Sequence, residues 1–83
     1  MKLLYFAWLR QKIGVETEQV ALPDDVTDVA GLIVWLKGRG DNYAEALKND
    51  KVIKVAVNQA YARPGTALKD SDEVALFPPV TGG

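Results

Sequence analysis

The chain has 83 residues, 48% of them apolar and 25% charged, with ten lysines and arginines against eleven aspartates and glutamates and neither cysteine nor histidine. That length and balance give one small folded domain, residues 1–83, and exclude a second domain, a disordered tail protein or a fibre. Basic residues scattered from Lys2 to Lys69 without a cluster argue against nucleic acid as a partner, while the missing thiol and imidazole exclude disulfides, zinc ribbons, iron–sulfur clusters and thiol nucleophiles.

Residues 2–10 are rich in Leu, Tyr, Phe and Trp, and both alternating sets are apolar: Leu4, Phe6 and Trp8 on one side, Leu3, Tyr5, Ala7 and Leu9 on the other. This predicts a central strand covered on both faces. Its apolar run is far shorter than the roughly 18 residues a membrane helix needs. A secretory signal would show small residues where Arg10, Gln11 and Lys12 stand, so a cytoplasmic protein without a membrane partner is expected. Residues 12–14 read as a turn, and residues 16–22 alternate Glu18, Val20 and Leu22 against Gln19 and Ala21, which completes a hairpin. Pro23-Asp24-Asp25 breaks that strand. Thr27 or Asp28 can then cap a helix whose Val29, Leu32, Ile33 and Leu36 fall at i, i+3, i+4 and i+7, with Gly38 and Gly40 ending it. Arg39-Gly40-Asp41 spells a cell-adhesion tripeptide, but nothing else in the chain is extracellular in character, and a polar turn after a helix accounts for it.

Residues 41–48 form a short helix or a loop, with Tyr43, Ala44, Ala46 and Leu47 as a modest apolar face. Residues 52–57 are a strand, Asn58-Gln59 turns the chain, residues 60–62 pair briefly, and Pro64-Gly65 is another turn. Residues 69–73 carry Asp70, Asp72 and Glu73, too short a run for a calcium loop and read as a solvated turn. Residues 74–77 make the last strand, closed by Pro78-Pro79, since neither proline can donate to a ladder. The order is strand, strand, helix, strand, short strand, strand: an α+β fold with a sheet of four to five strands and one main covering helix. One helix covers one face, so the other face is a candidate partner surface. The alternative is that Leu3, Tyr5 and Leu9 close small satellite clusters under loops. Trp8 and Trp35 are assigned to core or edge packing.

The unusual feature is the ending Phe77-Pro78-Pro79-Val80-Thr81-Gly82-Gly83. Two glycines make a thread without side chains that can enter a narrow channel, and two prolines hold its root extended, so residues 78–83 read as an extended tail. A terminal carboxylate ionises near pH 3.3–3.7 and is a poor acyl donor at neutral pH. Chemistry there needs an activating partner. With no imidazole or thiolate in the chain, acid–base work would fall to Asp, Glu, Lys or Tyr, and an autonomous enzyme is a poor fit.

Over essentially its whole length the chain resembles the small-subunit family of molybdopterin synthase, sulfur carriers with the ubiquitin-like β-grasp fold. The most specific stretch is Asp72-Glu73-Val74-Ala75-Leu76-Phe77-Pro78-Pro79-Val80-Thr81-Gly82-Gly83; Leu4-Tyr5-Phe6-Ala7 and Val55-Ala56-Val57-Asn58-Gln59 match as well. The family often has glycine where Ser71 stands and a second aromatic where Leu76 stands, conservative departures for a turn and a strand.

The resemblance implies a mechanism without cysteine or histidine. Gly83 would be adenylated with ATP by an adenylyltransferase resembling the ubiquitin-activating type, and a sulfurtransferase would supply the sulfur that turns the adenylate into a thiocarboxylate. The tail would then enter the large synthase subunit and give sulfur to cyclic pyranopterin monophosphate, two loaded carriers making one dithiolene. No cofactor is held permanently; AMP and sulfur pass through Gly83. Gly82 would let the terminus pass, Val80 and Thr81 would line the entry, Phe77 and Tyr61 would be docking contacts, and Arg10 would orient the partners. By their chemistry alone Phe77 also fits a core aromatic, and Tyr61 and Arg10 ordinary surface positions. The resemblance further implies a heterotetramer with two large subunits at its centre. Three other functions share these residues: a thiamine-pathway sulfur carrier, which is typically shorter and lacks the Phe-Pro-Pro approach; a modifier joined to lysines through Gly83; and a β-grasp interaction domain with an inert tail.

Overall fold

In the computed structural model, which describes residues 1–79, the apolar opening of the chain divides into two elements. Strand β1 (Lys2–Tyr5) sends Leu3 and Tyr5 into the core and Leu4 to the opposite face. The strand expected over residues 2–10 thus stops at Tyr5, and its second half, together with most of the expected turn, is helix α1 (Trp8–Ile13). Ala7 reverses the chain at φ 54°, after which Leu9 and Ile13 recur at helical spacing and are both buried. An unbroken apolar run carries no mark where a period of two gives way to one of 3.6, so alternation alone could not place the break. Gly14 closes α1 at φ 98°, its N–H donating to the Arg10 carbonyl at 2.8 Å, a left-handed cap that glycine adopts without strain.

Strand β2 (Thr17–Gln19) returns antiparallel to β1 with Glu18 opposite Leu3. It is shorter than expected: Val20 still exchanges backbone hydrogen bonds with Met1, its N–H donating to the Met1 carbonyl at 2.9 Å, and beyond it Leu22 packs against the core. Helix α2 (Val29–Lys37) begins where its cap foretells: the Asp28 carboxylate accepts the Gly31 N–H at 2.8 Å. Val29, Leu32, Ile33 and Leu36 form its buried stripe. Replacing that cap, Asp28→Ala, is expected to cost about 1 kcal/mol, read as a lower urea midpoint with an unchanged slope. Helix α3 (Asp41–Ala46) resolves the ambiguous segment as helical, and a 3-10 turn (Asp50–Val52) leads into β3 (Lys54–Val57). Two short strands follow, β4 (Ala60–Tyr61) and β5 (Glu73–Phe77).

The sheet order is β2-β1-β5-β3-β4, with β1 and β5 parallel and the other neighbours antiparallel. This mixed five-stranded sheet around α2 is the ubiquitin-like β-grasp architecture expected, with α1 and α3 as two further short helices. Leu3, Tyr5 and Leu9 lie in the main core with Leu32, Leu36, Leu47, Val74 and Leu76, not in satellite clusters. Leu76 is fully buried. Trp35 packs against the core as expected, whereas Trp8 stands 40% exposed on α1.

The turn between β3 and β4 holds Asn58 and Gln59 at φ 50° and 72°, the paired positive angles that match a two-residue hairpin to the twist of its strands. Asp72 clamps it: its carboxylate accepts Asn58 Nδ2–H at 2.9 Å and the Lys69 N–H at 2.8 Å, and the Glu73 N–H donates to Asn58 Oδ1 at 3.0 Å. The segment read as a solvated turn therefore contains a 9% exposed carboxylate that ties β4 to the start of β5. Those bonds, first from the Lys69 N–H, hold Asp72 below the ordinary aspartate range. Among the described residues no helix is long and apolar enough to cross a membrane, and no three carboxylates cluster as a metal site.

Candidate functional site

Register places four side chains in one row across the open face of the sheet. Leu4 on β1 stands beside Ala75 on β5, Ala75 beside Ala56 on β3, and Ala56 beside Tyr61 on β4. The two alanines form a low floor between Leu4 and Tyr61. Phe6, just past β1, and Phe77, at the end of β5, stack above it with ring centroids 4.5 Å apart and planes 11° apart. With Gln59 and Glu73 these residues line a shallow groove of about 400 Å³. Tyr61 is 83% exposed and Phe6 39%. Aromatic rings displayed on an apolar floor are the residues that anchor protein interfaces.

The sequence led to an expected uncovered face, and the family resemblance separately named Phe77 and Tyr61 as docking contacts; the fold brings those two into one groove on that face. Phe77 lies on the open face and outside the core, which separates the two roles its chemistry allowed. Arg10 is elsewhere: it lies on α1, about half exposed, 3.4 Å from Glu16, and does not line the groove. Leu4, Phe6 and Ala75 were not singled out as contacts. For Leu4 and Phe6 part of the signal was available, since a strand apolar on both faces beneath one helix must leave one apolar set uncovered, though only strand pairing decides which. Val80, Thr81, Gly82 and Gly83, the reacting tail inferred from the sequence, lie outside the described residues. The chain reaches them through Pro78 and Pro79, which follow β5 at the Phe6 and Phe77 end of the groove.

A polar cluster braces the sheet from the helix side. The Glu18 carboxylate accepts Tyr5 Oη–H at 2.6 Å, Tyr43 Oη–H at 2.8 Å and Arg39 Nη1–H at 3.0 and 3.1 Å. Arg39 also lies over the Trp35 and Tyr43 rings, 5.1 and 4.9 Å from their centroids. Burial pushes Glu18 up, but the bonds from Tyr5, Tyr43 and Arg39 together outweigh it and hold the carboxyl below the usual glutamate range. Burial first, then the bond to Glu18, pushes the Tyr5 phenol far above its ordinary value, and Tyr43 moves the same way. These tyrosines are therefore neutral braces across the physiological range. Arg39 of the Arg39-Gly40-Asp41 tripeptide is committed to Glu18, so the triplet is a structural link between α2 and α3.

A second groove of about 430 Å³ lies between α2 and β3, lined by Ile33, Val34, Lys51 and Lys54 among others, and takes no residue from β5. The described residues thus offer a docking face and a rigid root for the tail, with every buried side-chain nitrogen and oxygen satisfied. Such an arrangement can present a terminus to another protein's active site.

The profile of the ThiS family matches residues 3–83. The molybdopterin synthase sulfur carrier subunit of Haemophilus influenzae is 41% identical over 83 residues, spanning all of this chain and 99% of that protein. Among solved structures, SAMP1 of Haloferax volcanii, a small archaeal modifier protein, superposes with a TM-score of 0.75 and 33% identity over 100% of this chain and 98% of its own. A protein–protein complex of subunits 1 and 2 of the molybdopterin-converting factor from Helicobacter pylori contains a chain similar at TM-score 0.61 and 26% identity, covering 99% of this chain and 96% of that one.

Proposed function

Because this chain belongs to the ThiS family, we propose that it is the sulfur carrier subunit of a molybdopterin synthase, working in molybdenum cofactor biosynthesis. The observation that carries this is identity of 41% along the entire length with a protein named for that role, through the Phe77 to Gly83 ending. The structure supplies what a carrier needs: a rigid β-grasp body, an apolar face beside the root of the tail, and a proline pair that stiffens its exit.

The Gly83 carboxylate is the reacting group. Ionised at neutral pH, it resists nucleophiles until an adenylyltransferase converts it with ATP into a mixed anhydride. The terminal sulfur of a sulfurtransferase persulfide displaces AMP to give an acyl disulfide, and a thiol then cuts its S–S bond, leaving the thiocarboxylate on Gly83 and a disulfide on the donor side. The tail, Val80 and Thr81 lining the passage and Gly82 slipping through, carries that sulfur into the large subunit and onto cyclic pyranopterin monophosphate. Two carriers act per dithiolene, within a heterotetramer in the cytoplasm. Acid–base groups belong to the partners, consistent with the composition of this chain.

The large subunit docks on the groove of Leu4, Phe6, Tyr61 and Phe77. Tyr61→Ala should leave stability unchanged, because that side chain is 83% exposed, and weaken binding of the large subunit about tenfold or more, as loss of an interface aromatic does. Calorimetric titration against the large subunit measures it, and unchanged affinity would move the interface elsewhere.

The decisive experiment is the intact mass of the protein purified from its own host, with fragmentation to locate sulfur in place of oxygen at Gly83. A thiocarboxylate establishes the carrier. A second function, attachment to lysines, is favoured by the likeness to SAMP1. Isopeptide-linked conjugates through Gly83, with no thiocarboxylate even after ATP, activating enzyme and sulfur donor are supplied, would establish the modifier instead.

A further inference from the structure

Helix α2 and strand β3 meet around a trough of about 430 Å³ that shares no lining residue with the groove of Phe6, Tyr61 and Phe77. Both of its ends are tied. At one, the Lys37 ammonium holds the Asp50 carboxylate at 2.7 Å; at the other, the Ala30 N–H donates to the Pro64 carbonyl at 2.8 Å. Between these ties the helix advances seven residues, about 10 Å, so an extended chain does not thread the trough, whereas a side chain can enter it from above. Its floor is aliphatic, from the buried Ile33, Ile53 and Val55. Val34 forms the lip at 68% exposed, and among the exposed large hydrophobics only Tyr61, at 83%, stands out further.

The walls carry a charge opposite to that of the chain. Lys51, Lys54 and Arg63 line the trough, all three are exposed, and none belongs to an ion pair among the described residues. Asp50, the carboxylate in the lining, is already held by Lys37. This corner is therefore electropositive on a molecule whose net charge is -1. In register Lys54 stands beside Phe77, directly before the proline pair, so one end of the trough lies close to the root of the tail.

We propose that this trough docks a second protein, through an aliphatic side chain carried on an acidic surface, while the open face holds the first. The exposed lip and the exposed cations extend the surface beyond the cavity, which favours a protein over a small carboxylate as occupant. In the carrier reading, on which the identity of this partner rests, the second protein is the sulfur donor. It has to reach Gly83 while the activating enzyme holds the adenylate, and two faces without a shared residue allow both to be engaged. One buried aliphatic side chain and a few partly screened ion pairs make a weak contact, whose selectivity is mainly electrostatic.

The test titrates the full chain with the peptide acetyl-Glu-Asp-Leu-Ile-Asp-Glu-amide, followed by amide NMR without nucleotide, to about 10 mM, a range that reads the affinity of a single side-chain anchor. Saturable shifts are expected at Val34, Ile53 and Val55, with Phe6 and Tyr61 unmoved. Combined Lys51→Glu and Arg63→Glu should weaken binding about fivefold or more at an unchanged urea midpoint, since both side chains are exposed. Gln and Asn in place of the peptide's Glu and Asp should weaken it as much. Val34→Ala should cost about twofold or more, and the peptide should bind equally well with the large subunit seated on the open face. An absence of saturable shifts, shifts mapping to Phe6 and Tyr61, equal affinity for the neutral peptide, or displacement by the large subunit overturns the proposal. Equal binding of hexanoate alone would make the trough a small-anion site and overturn it too. No ATP or sulfur donor is present, so failure here leaves the role of Gly83 intact. Failure of sulfur loading would in turn leave these shifts intact and remove only the sulfur donor as the partner.

Discussion

A chain lacking Gly83 is expected to lose sulfur transfer by on the order of a thousandfold or more while unfolding at the same urea concentration as the full chain. The deletion leaves a carboxylate, now on Gly82, so the chemistry of the terminus is nominally unchanged. Its position is not. One residue withdraws the reacting carbon by about 3.4 Å, and a misplacement of about 1 Å in a held reactant can cost a hundredfold. Pro78 and Pro79 deny the root the freedom to make up the distance. Stability should not move, because the core closes through Leu76 and Val74, both fully buried and upstream of the prolines. Product formation from cyclic pyranopterin monophosphate with purified large subunit, activating enzyme and sulfur donor gives the first number, and urea unfolding gives the second. Normal product formation by the truncated chain would end the carrier assignment, and loss of both activity and stability would show that the tail has a structural part.

Glu18→Ala should be the most damaging polar substitution, lowering stability by about 3 kcal/mol. Three donors converge on that carboxylate, and although the exposed Arg39 can turn to water, the Tyr5 hydroxyl cannot, since Tyr5 is 1% exposed. For a chain of this length total stability is roughly 4–12 kcal/mol, so the loss is a large share, equivalent to roughly 10–20 °C in Tm. Glu18→Gln keeps an acceptor for one tyrosine and should cost about half as much. The pH dependence has a definite sign. A folded-state value below the unfolded value means that Glu18 contributes in full above the unfolded value of about 4.3, and the contribution is lost as pH falls through the lower folded value. Wild type and Glu18→Ala should therefore differ most near neutrality and converge in acid, by urea midpoints measured at several pH values. A gap that persists unchanged in acid would assign the loss to packing and not to charge.

Much of the docking face was legible before any coordinates. Alternation in residues 2–5 marks Leu3 and Tyr5 as one set and Leu4 as the other, and a single amphipathic helix at residues 29–36 can cover only one of them. Which set faces the helix is a choice that register makes: the parallel pairing of β1 with β5 puts Leu3 beside Val74 in the core and Leu4 beside Ala75 outside it. Local sequence says nothing about a partner strand some 70 residues away, which is why Ala75 escaped notice, whereas Phe77 and Tyr61 were named through the family resemblance. Arg10 shows the reverse. It was named through the family resemblance as a residue that orients the partners, and the unforeseen helix α1 carries it outside the groove and toward Glu16.

Two features were decided by local chemistry, and the chain spells both of them out: the Asp28 cap with the stripe of α2, and the Asn58-Gln59 hairpin turn. Each depends on backbone angles, caps and periodicities contained within a few neighbouring residues. The break of the opening run into β1 and α1, the Glu18 cluster and the Asp72 clamp were decided by the fold alone. They join residues 13 to 25 positions apart, or turn on what packs above Leu9 and Ile13. A carboxylate becomes a brace only when tertiary packing brings its donors to it and keeps water away, and no spacing along the chain records that meeting.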